Sequence, residues 1–306
     1  LGVIEVRRLR VLRALADHGT VTAAAEVLHL TPSAVSQQLA ALETEIGQEL
    51  LERRGRRVAI TSAGRLLLSH ADAILIEVER AEDAMRLHAN GATGQIRVAA
   101  FATAISLLVA PSLLRLRELS PGLQLVVRDA EGHQCISQLL DGEVEIAVAV
   151  EHRGSPRPDD ERLTRIPLYA EPFDAVLPAG HALAAESAVA LVDLAKDDWI
   201  MTSAGNPVRD VVGMACEQAG FEPQVLHVSD DFRAVAALAA TGAGVALVPR
   251  LALRGVDTAG AVAIPLTDPA PTRRVFAAVR RAGADHPLIA ATVTEFGRAA
   301  AALDRA

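Results

Sequence analysis

The sequence predicts a chain in three successive parts: a small, mainly α-helical unit carrying a β-hairpin, one long helix, and a two-lobed α/β domain. Three observations carry this reading. The first sixty residues hold three short helical patterns and then an arginine-rich hairpin pattern; residues 61–89 hold one unbroken apolar stripe at helical spacing; and from Gln95 onward, strand-like and helix-like stretches alternate.

The first helix is expected over residues 4–18, where Val6, Leu9, Leu12 and Ala16 fall on one face and Gly19 provides the stop. A second covers residues 22–29, with Ala24, Val27 and Leu28 available for packing. Leu30-Thr31-Pro32 then makes a turn in which Thr31 is a good N-cap and Pro32 fits the first helical position. The third helix, residues 32–46, turns Val35, Leu39, Leu42 and Ile46 to the core. Ser33, Ser36, Gln37, Ala40 and Thr44 occupy the other face, which is small, polar and uncharged near its start. Such a face suits a nucleic-acid groove: short side chains allow deep entry, hydroxyls meet bases or phosphates, and Gln can bridge adenine N6 and N7. Two helices joined by a tight turn equally fit an ordinary helical bundle, and the next segment decides between the two. Residues 50–61 read as strand, Gly-centred turn and strand, with Arg53, Arg54, Arg56 and Arg57 around the tip. A hairpin of this kind places arginine on a phosphate backbone or in a narrow minor groove. Together these elements make a winged helix-turn-helix.

Thr61 can cap a helix running to about residue 89, striped by Leu67, Ala71, Ile74, Val78, Ala81 and Met85. At 1.5 Å per residue it extends roughly 40 Å, too long and one-sided for one small core. It pairs with a partner or packs on its own C-terminal domain. Residues 91–94 break it. Beyond lie strands at 96–100, 123–128 and 144–150 with helices at 104–118 and 134–140. This βαβαβ run implies a parallel sheet with helices on both faces. A second set follows: strands at 173–177, 199–202, 225–228 and 245–248, helices at 208–219 and 232–240. A return through 275–279 and a last helix at 287–301 close the domain, with crossings between lobes near 165–170 and 264–272. In open α/β sheets ligands sit outside the carboxyl ends of the strands. Those ends here are Phe101-Ala102-Thr103, Ala130-Glu131-Gly132-His133, Val150-Glu151 and Thr202-Ser203.

Bulk properties narrow the function classes. The 306 residues suffice for two or three domains, and 51% hydrophobic with 22% charged residues belongs to a compact globular chain. The apolar segments are short and broken by charges, so neither a membrane span nor a secretory core is expected, and the chain is expected in the cytoplasm. The net charge of −8 is opposite in sign to that of a nucleic-acid binder taken whole, which leaves room only for a local basic patch. Cys135 and Cys216 match no metal-ligand spacing; inert buried thiols and a redox-sensing pair both remain open. There is no GxSxG elbow, HExxH, P-loop or paired-cysteine zinc pattern, so no enzyme, metal or cofactor is expected.

The run Thr22-Ala23-Ala24-Ala25-Glu26-Val27-Leu28-His29-Leu30-Thr31-Pro32-Ser33-Ala34-Val35-Ser36-Gln37-Gln38-Leu39 resembles the helix-turn-helix signature of the LysR-type transcriptional regulators. Leu42-Glu43, Gly47, Arg53 and Thr61-Ser62-Ala63-Gly64 also fall where that family has them. The family often has Gln before the turn proline and Phe after Leu50; here Thr31 and Leu51 stand there. The resemblance covers the first sixty residues closely and the rest in outline. It implies a DNA-binding domain over 1–61, a dimerising linker helix over 62–90, and a periplasmic-binding-protein-like effector domain over 91–306. Lobe I of that domain takes 91–166 and 270–306, and lobe II takes 167–269. Thr31, Pro32, Ser33, Ser36, Gln37, Gln38, Arg53, Arg54 and Arg56 are then the expected DNA contacts. Phe101, Ala102, Thr103, His133, Val150, Thr202, Ser203 and Phe232 are the expected effector contacts. Thr103 and Thr202-Ser203 match positions where the family offers hydroxyls and helix N-termini to anionic effectors, though simple capping accounts for such residues equally. The implied partners are promoter DNA, a carboxylate or amino-acid-like small molecule, a twin chain in a dimer and further in a tetramer, and RNA polymerase. Asp129 and Glu131 near the cleft edge leave a cationic or amphoteric effector open as well.

Overall fold

Two threonines, Gly19 and Gly47 set the limits of the first helices. In the computed structural model, which describes residues 4–54, 57–89, 94–267 and 269–303, α1 (Val6–His18) ends at Gly19 with φ 72°. The Thr20 hydroxyl accepts from the Ala23 amide to start α2 (Val21–Val27), and Thr31 does the same for Ala34 at the head of α3 (Pro32–Ile46). His29, at φ 53°, turns the chain between α2 and α3. Strands β1 (Leu51–Arg54) and β2 (Arg57–Ile60) pair antiparallel as the expected hairpin, whose tip at Gly55 and Arg56 lies outside the described residues. Thr61 then caps α4 (Ser62–Ala89), accepting from the Gly64 amide at 3.0 Å.

Contacts divide the chain into two compact units, Leu1–Gly94 and Gln95–Ala306. The first is built on Leu9, Leu12, Leu15, Ala24, Val35, Leu39 and Leu42, all buried, each large side chain contributing about 1.5–3 kcal/mol. Leu67, Leu68, Ala71 and Leu75 of α4 join this core, and Arg13 of α1 clasps Asp72 through two hydrogen bonds of 3.0 and 2.9 Å. The early part of the α4 stripe is therefore consumed inside its own unit, while Leu66 and Ile74 stay exposed. The reason is register: α4 rises directly from the hairpin against α1. Gly64 makes that ascent fit, because a Cβ there would lie 2.4 Å from the Leu50 carbonyl oxygen and 2.6 Å from the Ile60 side chain. Gly64→Ala is expected to cost about 1–3 kcal/mol of stability in this unit, read by urea denaturation; an unchanged midpoint refutes that packing.

In the second unit, β3 (Gly94–Ala100) leads into a helix with three consecutive windings. These are α5 (Ala102–Ala104), a π-turn over Ile105–Val109, and α6 (Ala110–Leu119). Then follow β4 (Leu123–Asp129), α7 (Gly132–Leu140) and β5 (Ile146–Val150). β6 (Leu163–Pro178) is one 16-residue strand serving both lobes. Beyond it lie β7 (Asp198–Met201), α8 (Pro207–Gln218), β8 (Gln224–Val228), α9 (Phe232–Ala240), β9 (Ala246–Pro249), β10 (Ala261–Pro265), β11 (Thr272–Arg280) and α10 (Pro287–Leu303).

The main sheet runs β10-β6-β11-β5-β3-β4, with β9 also paired to β6, while β7 and β8 form a separate parallel pair. The expected parallel sheet is in fact mixed. β3 and β5 are parallel, but the returning β11 enters antiparallel between β5 and β6. The first half of β6 pairs with β11 as far as Pro172; from Phe173 onward it pairs with β9 and β10. That switch of partner, and the stretch from Pro265 to Thr272, are the two crossings between lobes. The first falls a few residues beyond the expected position because no break interrupts β6. Apolar clusters around Val98, Val148 and Phe296 and around Cys135 and Leu139 fill lobe I. Clusters around Phe173 and Trp199 and around Val176 and Val235 fill lobe II. Among the described residues no helix is long and apolar enough to cross a membrane.

Candidate functional site

On α3, burial of Val35, Leu39 and Leu42 forces the opposite face outward. Thr31, Pro32, Ser33, Ser36, Gln37 and Ala40 are all exposed on it. The Thr31 oxygen is already committed to the Ala34 amide. Gln38 differs from its neighbours: its carbonyl accepts from Arg8 Nε at 3.3 Å, and Arg8 also pairs with Glu45 and Glu5. It thus ties α3 to α1 and is half-buried rather than offered to a partner. Arg53 and Arg54 stand in β1 by their backbone, opposite Val58 and Arg57; their side chains, and Arg56 altogether, lie outside the described residues. The acidic excess of the chain is not here: the first sixty residues hold eight arginines and seven carboxylates. A polar, nearly uncharged helix face next to arginine-bearing strands is an arrangement able to enter a groove and grip phosphates.

Between the lobes of the second unit lies a cleft of about 740 Å³. Phe101, Ala102, Thr103 and Val150 line it from lobe I, and Phe232 lines it from lobe II. His133 lies in the first turn of α7, with its side chain outside the described residues. Thr202 and Ser203 are not in the lining. Thr202 is buried, and its hydroxyl has no hydrogen-bond partner among the described residues. Ser203 is occupied by the chain's own carboxylate: Asp230 accepts from its amide at 2.9 Å and from its hydroxyl, and also from Asn206 Nδ2 at 3.1 Å. An external carboxylate at that amide has to displace Asp230.

The floor of the cleft is an ion pair. Arg273 and Glu171, opposite each other on β11 and β6, are 1% and 2% exposed and are joined by hydrogen bonds of 2.9 and 2.6 Å. Arg273 also donates to Thr103 Oγ1 at 3.2 Å and lies 5.1 Å from the Phe101 ring centre, while Glu171 accepts from the Leu251 amide at 2.6 Å. This pair connects lobe I to the helical turn at Arg250–Leu253. No sequence signal singles the pair out, since β11 also carries Arg274 and Arg280 and β6 also carries Arg165 and Asp174. Asp129, Glu131, Asp230, Asp231, Arg233 and Arg254 also line the cleft. Burial raises Glu131 from 4.5 to about 7; Asp129 adds to the rise, Arg273 opposes it and Asp230 adds further. The lobes meet at the edge of the cleft through Gly132, where φ is 41° and a Cβ would lie 2.7 Å from Pro207.

Comparison with known proteins agrees with both units. Residues 6–65 match the model of the bacterial regulatory helix-turn-helix protein of the lysR family, and residues 89–301 match the LysR substrate binding domain. The chain is similar to a hydrogen peroxide-inducible genes activator of Pectobacterium carotovorum, 29% identical over 92% of this chain and 91% of that one. It is also similar to the small neutral protease regulatory protein of Streptomyces coelicolor, 33% identical over 92% and 84%. Among solved structures, full-length OxyR of Pseudomonas aeruginosa superposes with a TM-score of 0.63 at 22% identity, covering 97% of this chain and 95% of that one. A peroxide-bound OxyR mutant of Corynebacterium glutamicum gives 0.61 at 26% identity, covering 98% and 95%. These relatives are transcriptional regulators, not enzymes. With both family models matched in order along one chain, this protein belongs to the LysR family of transcriptional regulators, which bind DNA through a helix-turn-helix and respond to small molecules through the substrate-binding domain.

Proposed function

We propose that α3 enters the major groove of promoter DNA through Pro32, Ser33, Ser36 and Gln37, with Thr31 at its head and Gln38 steadying it from behind. Arg53, Arg54 and Arg56 of the hairpin grip the flanking backbone. In this reading residues 1–61 read DNA, 62–90 pair with a twin chain, and 91–306 bind the effector. Lobe I takes 91–166 and 270–306, and lobe II takes 167–269. The exposed Leu66 and Ile74 support pairing through α4, as does its length of 28 residues. Two such units read a roughly palindromic site, and two dimers form a tetramer that acts on RNA polymerase in the cytoplasm. The effector enters the interlobe cleft and shifts the chain between two arrangements by its different affinity for them. It touches Phe101, Ala102, Thr103, Val150 and Phe232, with His133 at the mouth and Thr202-Ser203 behind Asp230. The observation that carries the reading is the exposed polar face of α3 on a chain that also holds an interlobe cavity. A salt-dependent titration against the chain's own upstream region tests it: saturable, sequence-preferring binding that weakens steeply with salt is expected. No preference over random DNA, with or without cell extract, refutes it.

Relatives named for hydrogen peroxide invite a thiol-based effector reading, which the two cysteines do not support. Both are buried, in clusters of different lobes, and burial pushes each thiol up to about 12. The thiolate is the form that attacks peroxide, and it is scarce at such a value. DNA affinity is therefore expected to be the same before and after micromolar peroxide, and equally so in Cys135→Ser and Cys216→Ser. A peroxide-dependent change abolished by either substitution overturns this.

A further inference from the structure

We infer that the cleft takes a small organic cation, an amine or guanidine whose positive group lies against Glu131 and Asp129 of lobe I. The inference rests on reading the cleft as the effector site, and it specifies the class of effector. The charged groups around the cavity divide into those already satisfied and those not. Arg273 is neutralised by Glu171 and shared with Thr103. Asp230 is held by Ser203 and Asn206, and Asp231 caps α9 by accepting from the Arg233 amide at 2.9 Å. The carboxylates of Asp129 and Glu131 have no hydrogen bond or ion pair among the described residues, though both line the cavity. Asp129 is exposed at the mouth and Glu131 is half-buried deeper in.

Glu131 faces Asp129 from the end of β4, Asp230 from the turn before α9, and Arg273 from β11. It sits at the start of α7 without capping it. Across the cavity stand Asp231, Arg233 and Arg254; the two arginines are exposed, as Asp129 is, so solvent screens all three, and Glu131 is the more enclosed charge. The interior cation is thus spent and the unspent interior charge is negative. At the Glu131 end of the cavity an anion meets repulsion, whereas a cation there replaces the mutual repulsion of two carboxylates by attraction to both. Its hydrocarbon part finds Phe232, Leu107 and Val150. Arg233 and Arg254 leave room for a carboxylate at the far end of the same molecule, so basic amino acids and diamines both satisfy the geometry.

Protonation of Glu131 competes with the cation. The group is neutral below about 7 and charged above it, so affinity rises as pH climbs from about 6 to about 8 and then levels, an increase of about tenfold. The test is isothermal titration of the full chain with L-arginine, L-lysine and 1,4-diaminobutane as cations, and glutarate and 2-oxoglutarate as anions. We expect one or more of the cations to bind in preference to the anions, with affinity rising about tenfold over that pH range. Glu131→Gln is expected to weaken the cation about tenfold or more and to flatten the pH profile. Asp129→Asn supplies a second variant if the thermal midpoint shows Glu131→Gln misfolded. Preference for the anions, cation binding indifferent to both substitutions, or no cation bound at millimolar concentration each overturns the inference. Promoter titration of the same preparation separates the causes: specific DNA binding without cation binding leaves the regulator standing and removes only the cation.

Discussion

Glu171→Ala is expected to destabilise the second unit by about 3–5 kcal/mol, because removing one member of a buried pair leaves an uncompensated charge. Glu171 and Arg273 are almost fully enclosed, and one Glu171 oxygen takes both guanidinium hydrogen bonds while the other takes the Leu251 amide. The substitution therefore strands a guanidinium and a backbone N–H together. Denaturant unfolding of the full chain measures it in the transition of residues 95–306, and a loss below about 1 kcal/mol contradicts the geometry. The double substitution Glu171→Gln, Arg273→Met is expected to recover much of the loss, since it removes both buried charges and leaves a side-chain oxygen at 171 to accept from the Leu251 amide. It also removes the contact of Arg273 with Thr103 and Phe101, so effector response suffers even where stability returns.

Gln37→Ala is expected to weaken binding to the promoter by about 1–3 kcal/mol at each half-site, hence about 2–6 kcal/mol for a two-fold site. Gln37 is exposed on the outer face of α3 and its side chain makes no hydrogen bond among the described residues, so little stability is at stake. Its side chain is neutral and releases no counterion, so the salt slope stays as in the parent. Arg53→Ala is expected to differ in kind: a uniform loss across sequences, with the slope reduced by about one per half-site. A filter-binding or anisotropy series over salt separates the two. Equal affinity in Gln37→Ala removes that residue from the interface.

Much of this was legible in the sequence because the signals were local. Thr31-Pro32 and Gly47 mark both ends of α3, and its core residues repeat at 3.6-residue spacing, so the helix runs from Pro32 to Ile46 as expected. The helix expected over 232–240 is α9, and the structure adds Asp231 as its cap. β10 went unseen because its five residues include only Val262 and Ile264 as large apolar groups. The mixed sheet was hidden too, since strand direction depends on where the returning β11 inserts rather than on any residue within it.

The candidate sites divide along the same line. The sequence by itself determined the exposed face of α3, the hairpin, and the strand ends that supply Phe101, Thr103 and Val150 to the cleft. Only the tertiary structure decided that Gln38 is claimed by Arg8, that Ser203 is claimed by Asp230, and that Arg273 meets Glu171 across a separation of 102 residues. Caps and periodicity act over one turn of chain and are written in neighbouring letters. Which charge finds which partner depends on strands brought side by side, and a buried group left alone would cost more than the fold can spare.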